Sequence, residues 1–214
     1  MKKISIIIID DHTLIRQTWS FILNNHPGFS VLAESGNAEE GIELCKQLKP
    51  EIVMMDINLP GISGLEAVPL IRKYAPATKV IGVSMHSQPA YAKKMMQSGA
   101  SGYITKSSSQ QEMLQALLDI HDGKKYVCGE IKNALAKEMI QGDDIQNGID
   151  KLSLREIEVI KMVREGLSSK EIAKATSISV KTVEVHRYNI LRKLNLRNAA
   201  ALVDYINKKA CGFI

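Results

Sequence analysis

Short β-branched runs alternate with stretches of helical period over the first 122 residues. The run Ile4-Ser5-Ile6-Ile7-Ile8-Ile9, the run Ile52-Val53-Met54-Met55 and the run Val80-Ile81-Gly82-Val83 are too continuous for a half-exposed strand. They read as strands buried on both faces of a parallel sheet. The pattern predicts strands near 4–10, 29–34, 51–56, 79–84 and 102–105, and helices near 13–25, 38–49, 65–74, 89–98 and 109–122. Strands alternating with helices argue for βαβ units, so residues 1–123 are expected to form an α/β, doubly wound (βα)5 domain around a five-stranded parallel sheet. Asn37 with Glu40 and Ser109 with Glu112 fit N-cap and N3 positions, and Gly99 and Gly123 fit helix ends. Pro69 removes one backbone donor, so a late start or a kink is expected in the third helix.

The pattern then changes. Residues 124–150 give no strong signal until a helical stretch near 130–140, followed by a polar, turn-rich tract at 141–148 that reads as a flexible linker or an ordered loop. From 151 to 214 the chain is helical throughout, a small all-α domain. Ser153-x-x-Glu156 and Ser168-x-x-Glu171 are capping boxes, Ser179 caps a helix over 180–194, and Asn198 caps the last helix. Two short helices joined by Thr176-Ser177-Ile178-Ser179 make a helix-turn-helix pattern.

Each buried run of the first domain ends in a residue with chemistry: Asp10-Asp11, Asp56, Ser84 and, after Gly102-Tyr103-Ile104-Thr105, Lys106. In a parallel sheet ligands bind beyond the carboxyl ends of the strands. Three carboxylates, a hydroxyl and an ammonium gathered there could hold Mg²⁺ and a phosphoryl group together. Singly each has an ordinary reading. Strand-end carboxylates cap helices, Ser84 is a common strand-end residue, Lys106 a solvated lysine and Tyr103 a half-buried aromatic.

Charge separates the two halves. Residues 1–123 hold 11 Lys+Arg and 12 Asp+Glu, residues 124–214 hold 17 and 11, consistent with the +5 of the 214-residue chain. The excess positive charge of the second half suits a polyanion partner. The chain shows no apolar run of the ~20 residues that a membrane span needs. Cys45, Cys128 and Cys211 are too widely spaced for a metal pair or a disulfide framework, which fits a reducing cytoplasm.

Asp10-Asp11, Asp56, Ser84, Tyr103 and Lys106, with the loop Asp56-Ile57-Asn58-Leu59-Pro60-Gly61-Ile62-Ser63-Gly64, resemble the CheY-like receiver domain of two-component signalling over about residues 3–123. Leu152-Ser153-Leu154-Arg155-Glu156, Gly166-Leu167-Ser168-Ser169-Lys170-Glu171-Ile172-Ala173 and the run 178–194 resemble a LuxR-type helix-turn-helix over about 150–208. The whole chain is similar to a NarL/FixJ-type response regulator. The resemblance implies a regulator, not an enzyme acting on other molecules, that accepts a phosphoryl group on Asp56 from a sensor histidine kinase. It implies Mg²⁺ held by Asp11, Asp56 and the Asn58 carbonyl, with Asp10 on the metal or its water, and Lys106 on the phosphoryl oxygens. Ser84 and Tyr103 would pass the signal to a surface of the fourth helix, fifth strand and fifth helix, while Asn58 and His86 would influence acyl-phosphate lifetime.

Over 180–194, Val183, Ile190, Leu191 and Leu194 recur on one face, which leaves the others for DNA. Lys181, Thr182, His186, Arg187, Arg192 and Lys193 are candidate phosphate contacts, and Glu184, Val185 and Tyr188 sit where relatives read bases. Glu184 either accepts from cytosine N4 or is an exposed helix residue. Part of the apolar last helix, with Ala199, Ala200, Leu202, Val203 and Ile206, must pack on the module, and the remainder is a candidate homodimer seam, as the resemblance implies. The implied partners are the kinase, double-stranded promoter DNA, a second copy of the phosphorylated chain, and RNA polymerase as a further candidate. Two alternatives stand beside this reading. One is a DNA-binding regulator indifferent to phosphorylation. The other is a Mg²⁺-dependent aspartyl-phosphate phosphatase of the haloacid dehalogenase type, whose Asp-x-Asp is matched neither by the adjacent Asp10-Asp11 nor by Asp56-Ile57-Asn58.

Overall fold

The computed structural model describes residues 2–141, 151–176 and 178–209. The chain divides into two compact units, at Ala136/Lys137. The first unit contains β1 (Ile4–Ile9), α1 (Thr13–Asn25), β2 (Phe29–Ser35), α2 (Ala38–Leu48), β3 (Ile52–Asp56), α3 (Gly64–Tyr74), β4 (Lys79–Ser84), α4 (Pro89–Gln97), β5 (Gly102–Thr105), α5 (Gln110–His121), β6 (Tyr126–Val127) and the start of α6 (Gly129–Gln141). All strands are parallel, in the order β2-β1-β3-β4-β5-β6.

The β-branched runs are as buried as their composition demands. Ile6, Ile7, Ile9, Ile52, Val53 and Met55 are fully buried at the centre of the sheet. Strand order reverses between β1 and β3, which opens a crevice at their carboxyl ends. Asp10 and Asp56 stand there.

The sheet has six strands where five were expected. β6 is only two residues long and pairs with β5 through Gly102–Tyr126 and Tyr103–Val127. Such a pair carries no periodicity, so the strand is invisible to pattern. It is fixed by tertiary contacts: Cys128 N–H donates to Tyr103 O at 3.0 Å, and Gly129 N–H to Glu112 Oε1 at 2.8 Å. Glu112 is thereby taken from the capping box expected at α5. Ser109 caps α5 alone. Asn37 likewise caps α2, while the Glu40 carboxylate goes to the Ser35 hydroxyl. α3 begins at Gly64 despite Pro69, so its start is not late. Gly99 and Gly123 end their helices at φ 104° and 88°, a conformation that glycine adopts without penalty.

The second unit holds α7 (Leu154–Arg164), α8 (Ser169–Thr176), α9 (Val180–Lys193) and α10 (Ala199–Lys209). Ser153, Ser168, Ser179 and Asn198 each accept a backbone N–H three residues on, and the boxes at Ser153 and Ser168 close with Glu156 and Glu171. The core includes Leu152, Ile157, Val159, Ile160, Ile172, Val183, Ile190, Leu202 and Ile206. Residues 142–150, where the linker was expected, Cys211 and Ser177 lie outside the described residues. Among the described residues no helix is long and apolar enough to cross a membrane.

Candidate functional site

β1 and β3 deliver Asp10 and Asp56 side by side, both buried. β5 delivers Lys106 opposite them. Its Nζ lies 2.8 Å from both Asp10 Oδ2 and Asp56 Oδ2, with the lysine side chain itself 2% exposed. Two carboxylates and one ammonium are thus enclosed together. Burial raises the Asp56 pKa above the ordinary carboxylate value, although Lys106 and the Asn58 N–H oppose that rise. The enclosed charges would gain from a second cation.

Asp11 is exposed at the rim, and His12 joins it. The His12 Nδ1 atom is 2.8 Å from Asp11 Oδ1, 3.1 Å from Asp10 Oδ1 and 3.1 Å from Lys106 Nζ. Ligand atoms of Asp10, Asp11, His12 and Asp56 all fall within 4.8 Å of one another. A mainly oxygen donor set with two enclosed carboxylates fits a hard divalent cation such as Mg²⁺. Sequence reasoning passed over His12. It sits at the N-cap of α1 without capping it, so only the fold reveals what it faces.

The loop after β3 is set by packing. Gly64 N–H donates to Ile57 O at 2.9 Å, and a Cβ on Gly64 would run into the backbone carbonyl oxygen of Asp56. α3 therefore starts directly against the strand end that presents the nucleophile. Asn58 N–H donates to Asp56 Oδ1 at 3.2 Å, and its side chain meets His86 Nε2 at 2.8 Å.

His86 connects the remaining residues. Its N–H donates to Ser84 Oγ at 3.1 Å, its carbonyl accepts from Tyr103 Oη at 2.7 Å, and its ring stacks on Tyr91 with centroids 4.2 Å apart. Tyr103 is fully buried, inward in this structure, and burial above all raises its hydroxyl pKa. The fold therefore brings Asp10, Asp11, Asp56, Asn58, Ser84, Tyr103 and Lys106 to one edge of the sheet.

In the second unit, α9 separates its faces by the 3.6-residue period. Val183 and Ile190 are buried, and Leu191 and Leu194 are half-buried. Lys181, Glu184, Val185, Tyr188 and Arg192 form one exposed stripe, with Val185 51% and Tyr188 65% exposed. His186 and Arg187 are half-buried beside it. The stripe thus carries an apolar and an aromatic group between Lys181 and Arg192, with the carboxylate of Glu184 among them.

Two of the candidate phosphate contacts have internal partners. Thr182 Oγ1 lies 2.8 Å from the capping Ser179 Oγ. Lys193 Nζ donates to Glu156 Oε2 at 2.7 Å, and that carboxylate, 3% exposed, also accepts the Ser153 N–H at 2.6 Å. Lys193 thus pins the end of α9 to the cap of α7. Burial works against the Glu156 charge, but Lys193 and Ser153 outweigh it and hold the carboxyl below its usual value of 4.5. A depressed folded pKa gives stability that is present above 4.5 and lost as pH falls from there. Lys193→Ala is expected to destabilise the second unit by about 2 kcal/mol at pH 7 and to flatten its acid dependence below pH 4.5, in thermal melts against pH. Arg192→Ala should leave the melt unchanged and weaken DNA binding.

Comparisons with known proteins agree with both units. Residues 6–118 match the response regulator receiver domain family, and residues 150–206 match the family of bacterial regulatory proteins of the luxR type. The chain is similar to the oxygen regulatory protein NreC of Staphylococcus epidermidis, 34% identical over 95% of this chain and 97% of that one. It is similar also to the response regulator UvrY of Escherichia coli, 31% identical over 93% of this chain and 91% of the other. Among solved structures, a LuxR-family two-component response regulator from Aurantimonas covers 65% of this chain and 99% of its own at 35% identity and TM-score 0.62. RcsB of Salmonella typhimurium covers 97% and 100% at 25% identity and TM-score 0.63.

Proposed function

Because this chain belongs to the two-component response regulators of the NarL/FixJ type, we propose that it is a cytoplasmic transcriptional regulator whose DNA binding is controlled by phosphorylation of Asp56. The observation that carries the reading is the enclosed Asp10–Lys106–Asp56 arrangement at the strand-order reversal, on the same chain as the exposed stripe of α9.

A carboxylate oxygen of Asp56 attacks phosphorus. The bond from phosphorus to the donor breaks, to a histidine nitrogen of the kinase or to the carboxyl oxygen of acetyl phosphate, and the donor leaves with the electron pair. Lys106, already 2.8 Å from Asp56, follows the charge onto the phosphoryl oxygens. When bound, Mg²⁺ would neutralise carboxylate and phosphoryl charge. Asp11 and Asp56, with the Asn58 carbonyl, would hold it, Asp10 would hold the metal or its water, and His12 lies within reach. The Ser84 hydroxyl that would donate to the phosphoryl group accepts the His86 N–H, and the His86 carbonyl accepts from Tyr103, so a shift of Ser84 toward the phosphoryl group would be passed through His86 to Tyr103. The phosphoryl group adds about −1.5 to −2 charges, enough to bias a two-state surface.

On DNA, Lys181, Thr182, His186, Arg187 and Arg192 would meet phosphates, with Lys193 chiefly a staple, while Glu184, Val185 and Tyr188 would face base edges. Ala199, Ala200 and the 41% exposed Val203 leave α10 an apolar face for a second copy of the phosphorylated chain. The solved RcsB–DNA complex is a relative of the same fold, with TM-score 0.61 at 24% identity. RNA polymerase is a candidate partner once the dimer is on its promoter.

The test is intact mass after incubation with acetyl phosphate. The full chain is expected to gain one phosphoryl group in Mg²⁺ and none in excess chelator. No gain in Mg²⁺, with the fold intact by circular dichroism, would move the chain to phosphorylation-independent DNA binding.

A further inference from the structure

Lys106 reaches the pocket from a loop whose backbone must be held for its ammonium to stay in place. One direct tie is the Lys106 N–H, which donates to Ser84 O at 2.7 Å. The residues on either side are tied by side chains. Thr105, 1% exposed, places its hydroxyl 2.8 Å from Ser107 Oγ and 3.3 Å from Ser108 Oγ. Each hydroxyl brings one donor, and the Thr105 donor is enclosed. Glu130 supplies an acceptor: its Oε2 accepts from Thr105 Oγ1 at 3.2 Å and lies 3.4 Å from Ser107 Oγ.

Glu130 is itself well anchored. It lies in the first turn of α6, between Cys128, fully buried and bonded to the Tyr103 carbonyl, and Ile131, fully buried. β6 pairing with β5 fixes the same turn against the strand that ends in Thr105 and Lys106. The backbone beneath Glu130 is therefore rigid, and from it the exposed side chain reaches back to Thr105 and Ser107. This platform lies beyond residue 118, where the receiver match ends.

We infer that Glu130 is a positioning residue for phosphoryl transfer to Asp56, acting through Thr105 and Ser107 to hold the loop that carries Lys106. The inference rests on the proposed function, since it supposes that Asp56 is the acceptor. It also makes the first turn of α6 part of the pocket's support, on the segment of chain that leads toward the second unit. By linkage, a change in the Lys106 loop is felt at α6, and a change in the docking of α6 is felt at Lys106.

The test uses the full chain with acetyl phosphate and follows intact mass over time. Mg²⁺ affinity is read in parallel from the fluorescence of Trp19, the single tryptophan, which lines a small cavity beside Asp10 and Asp56. A displaced lysine slows transfer without weakening the carboxylate ligands. Glu130→Ala is expected to lower the phosphorylation rate about 5- to 20-fold at saturating donor, since a misplacement of about 1 Å can cost up to about 100-fold. Mg²⁺ affinity should stay within about twofold, because Glu130 acts only through another group. Glu130→Gln keeps an acceptor oxygen and should recover most of the rate. Thr105→Val should match Glu130→Ala, Thr105→Ser should recover the rate, and the pair Glu130→Ala with Thr105→Val should be no slower than either alone. A Glu130→Ala chain as fast as the parent, or one that loses rate and Mg²⁺ affinity together, would overturn the role of Glu130. An unlabelled parent chain would overturn the function proposed above and this inference with it, whereas with a labelled parent those two outcomes count against Glu130 alone.

Discussion

Asp56→Ala is expected to take up no phosphoryl group from acetyl phosphate in Mg²⁺, a loss of at least about 100-fold, while remaining as stable as the parent chain or more so. The two halves of that expectation have one cause. Asp10, Asp56 and Lys106 are enclosed together, and burial already raises the Asp56 pKa. Removing one of two like charges takes away a desolvation cost and leaves Lys106 its Asp10 partner. Intact mass and a thermal melt on the same preparation check both halves. A variant that still gains one phosphoryl group would place the acceptor elsewhere.

Gly64→Ala is expected to have the largest effect on folding. Its Cβ would strike the carbonyl oxygen of Asp56, which is strand backbone and cannot rotate aside, and would also crowd the Met55 side chain. Overpacking of this kind costs about 3 kcal/mol or more, which lowers the melting temperature of the first unit by roughly 10 °C. The helix that moves to relieve the clash carries the loop holding Asn58, so phosphorylation should slow too. Gly123→Ala is the natural control. It has positive φ but open space around its Cβ, so it should cost only about 1 kcal/mol of backbone strain. Equal melting temperatures for Gly64→Ala and the parent would mean that α3 is not packed against the strand end as described.

Most of the pocket was legible in the sequence because its residues sit at ends of strong strand patterns. Once Ile4–Ile9 and Ile52–Asp56 are read as parallel strands, Asp10 and Asp56 must share an edge. Four features escaped for physical reasons. Tyr126–Val127 is too short for a period, and its strand exists only through its pairing with β5. His12 looks like an ordinary residue before a helix, and its facing is decided by the turn from Asp10. Lys193 follows Arg192 and reads as one basic run, yet one residue turns a helix by about 100°, which sends Arg192 to solvent and Lys193 to Glu156. Glu130 belongs to the same class, since nothing in its neighbourhood in sequence says that it meets Thr105.

If the state of Asp56 sets the affinity of the chain for DNA, that dependence can be measured directly. DNA binding by one preparation is compared before and after phosphorylation. The labelled fraction is read by intact mass, and binding is read by fluorescence anisotropy on a promoter fragment selected from genomic DNA at fixed salt. The phosphorylated state is predicted to form a complex at least about tenfold tighter, which corresponds to about 1.4 kcal/mol, with no change for Asp56→Ala under the same treatment. A fully labelled chain that binds DNA no differently from the unlabelled one would contradict phosphorylation control.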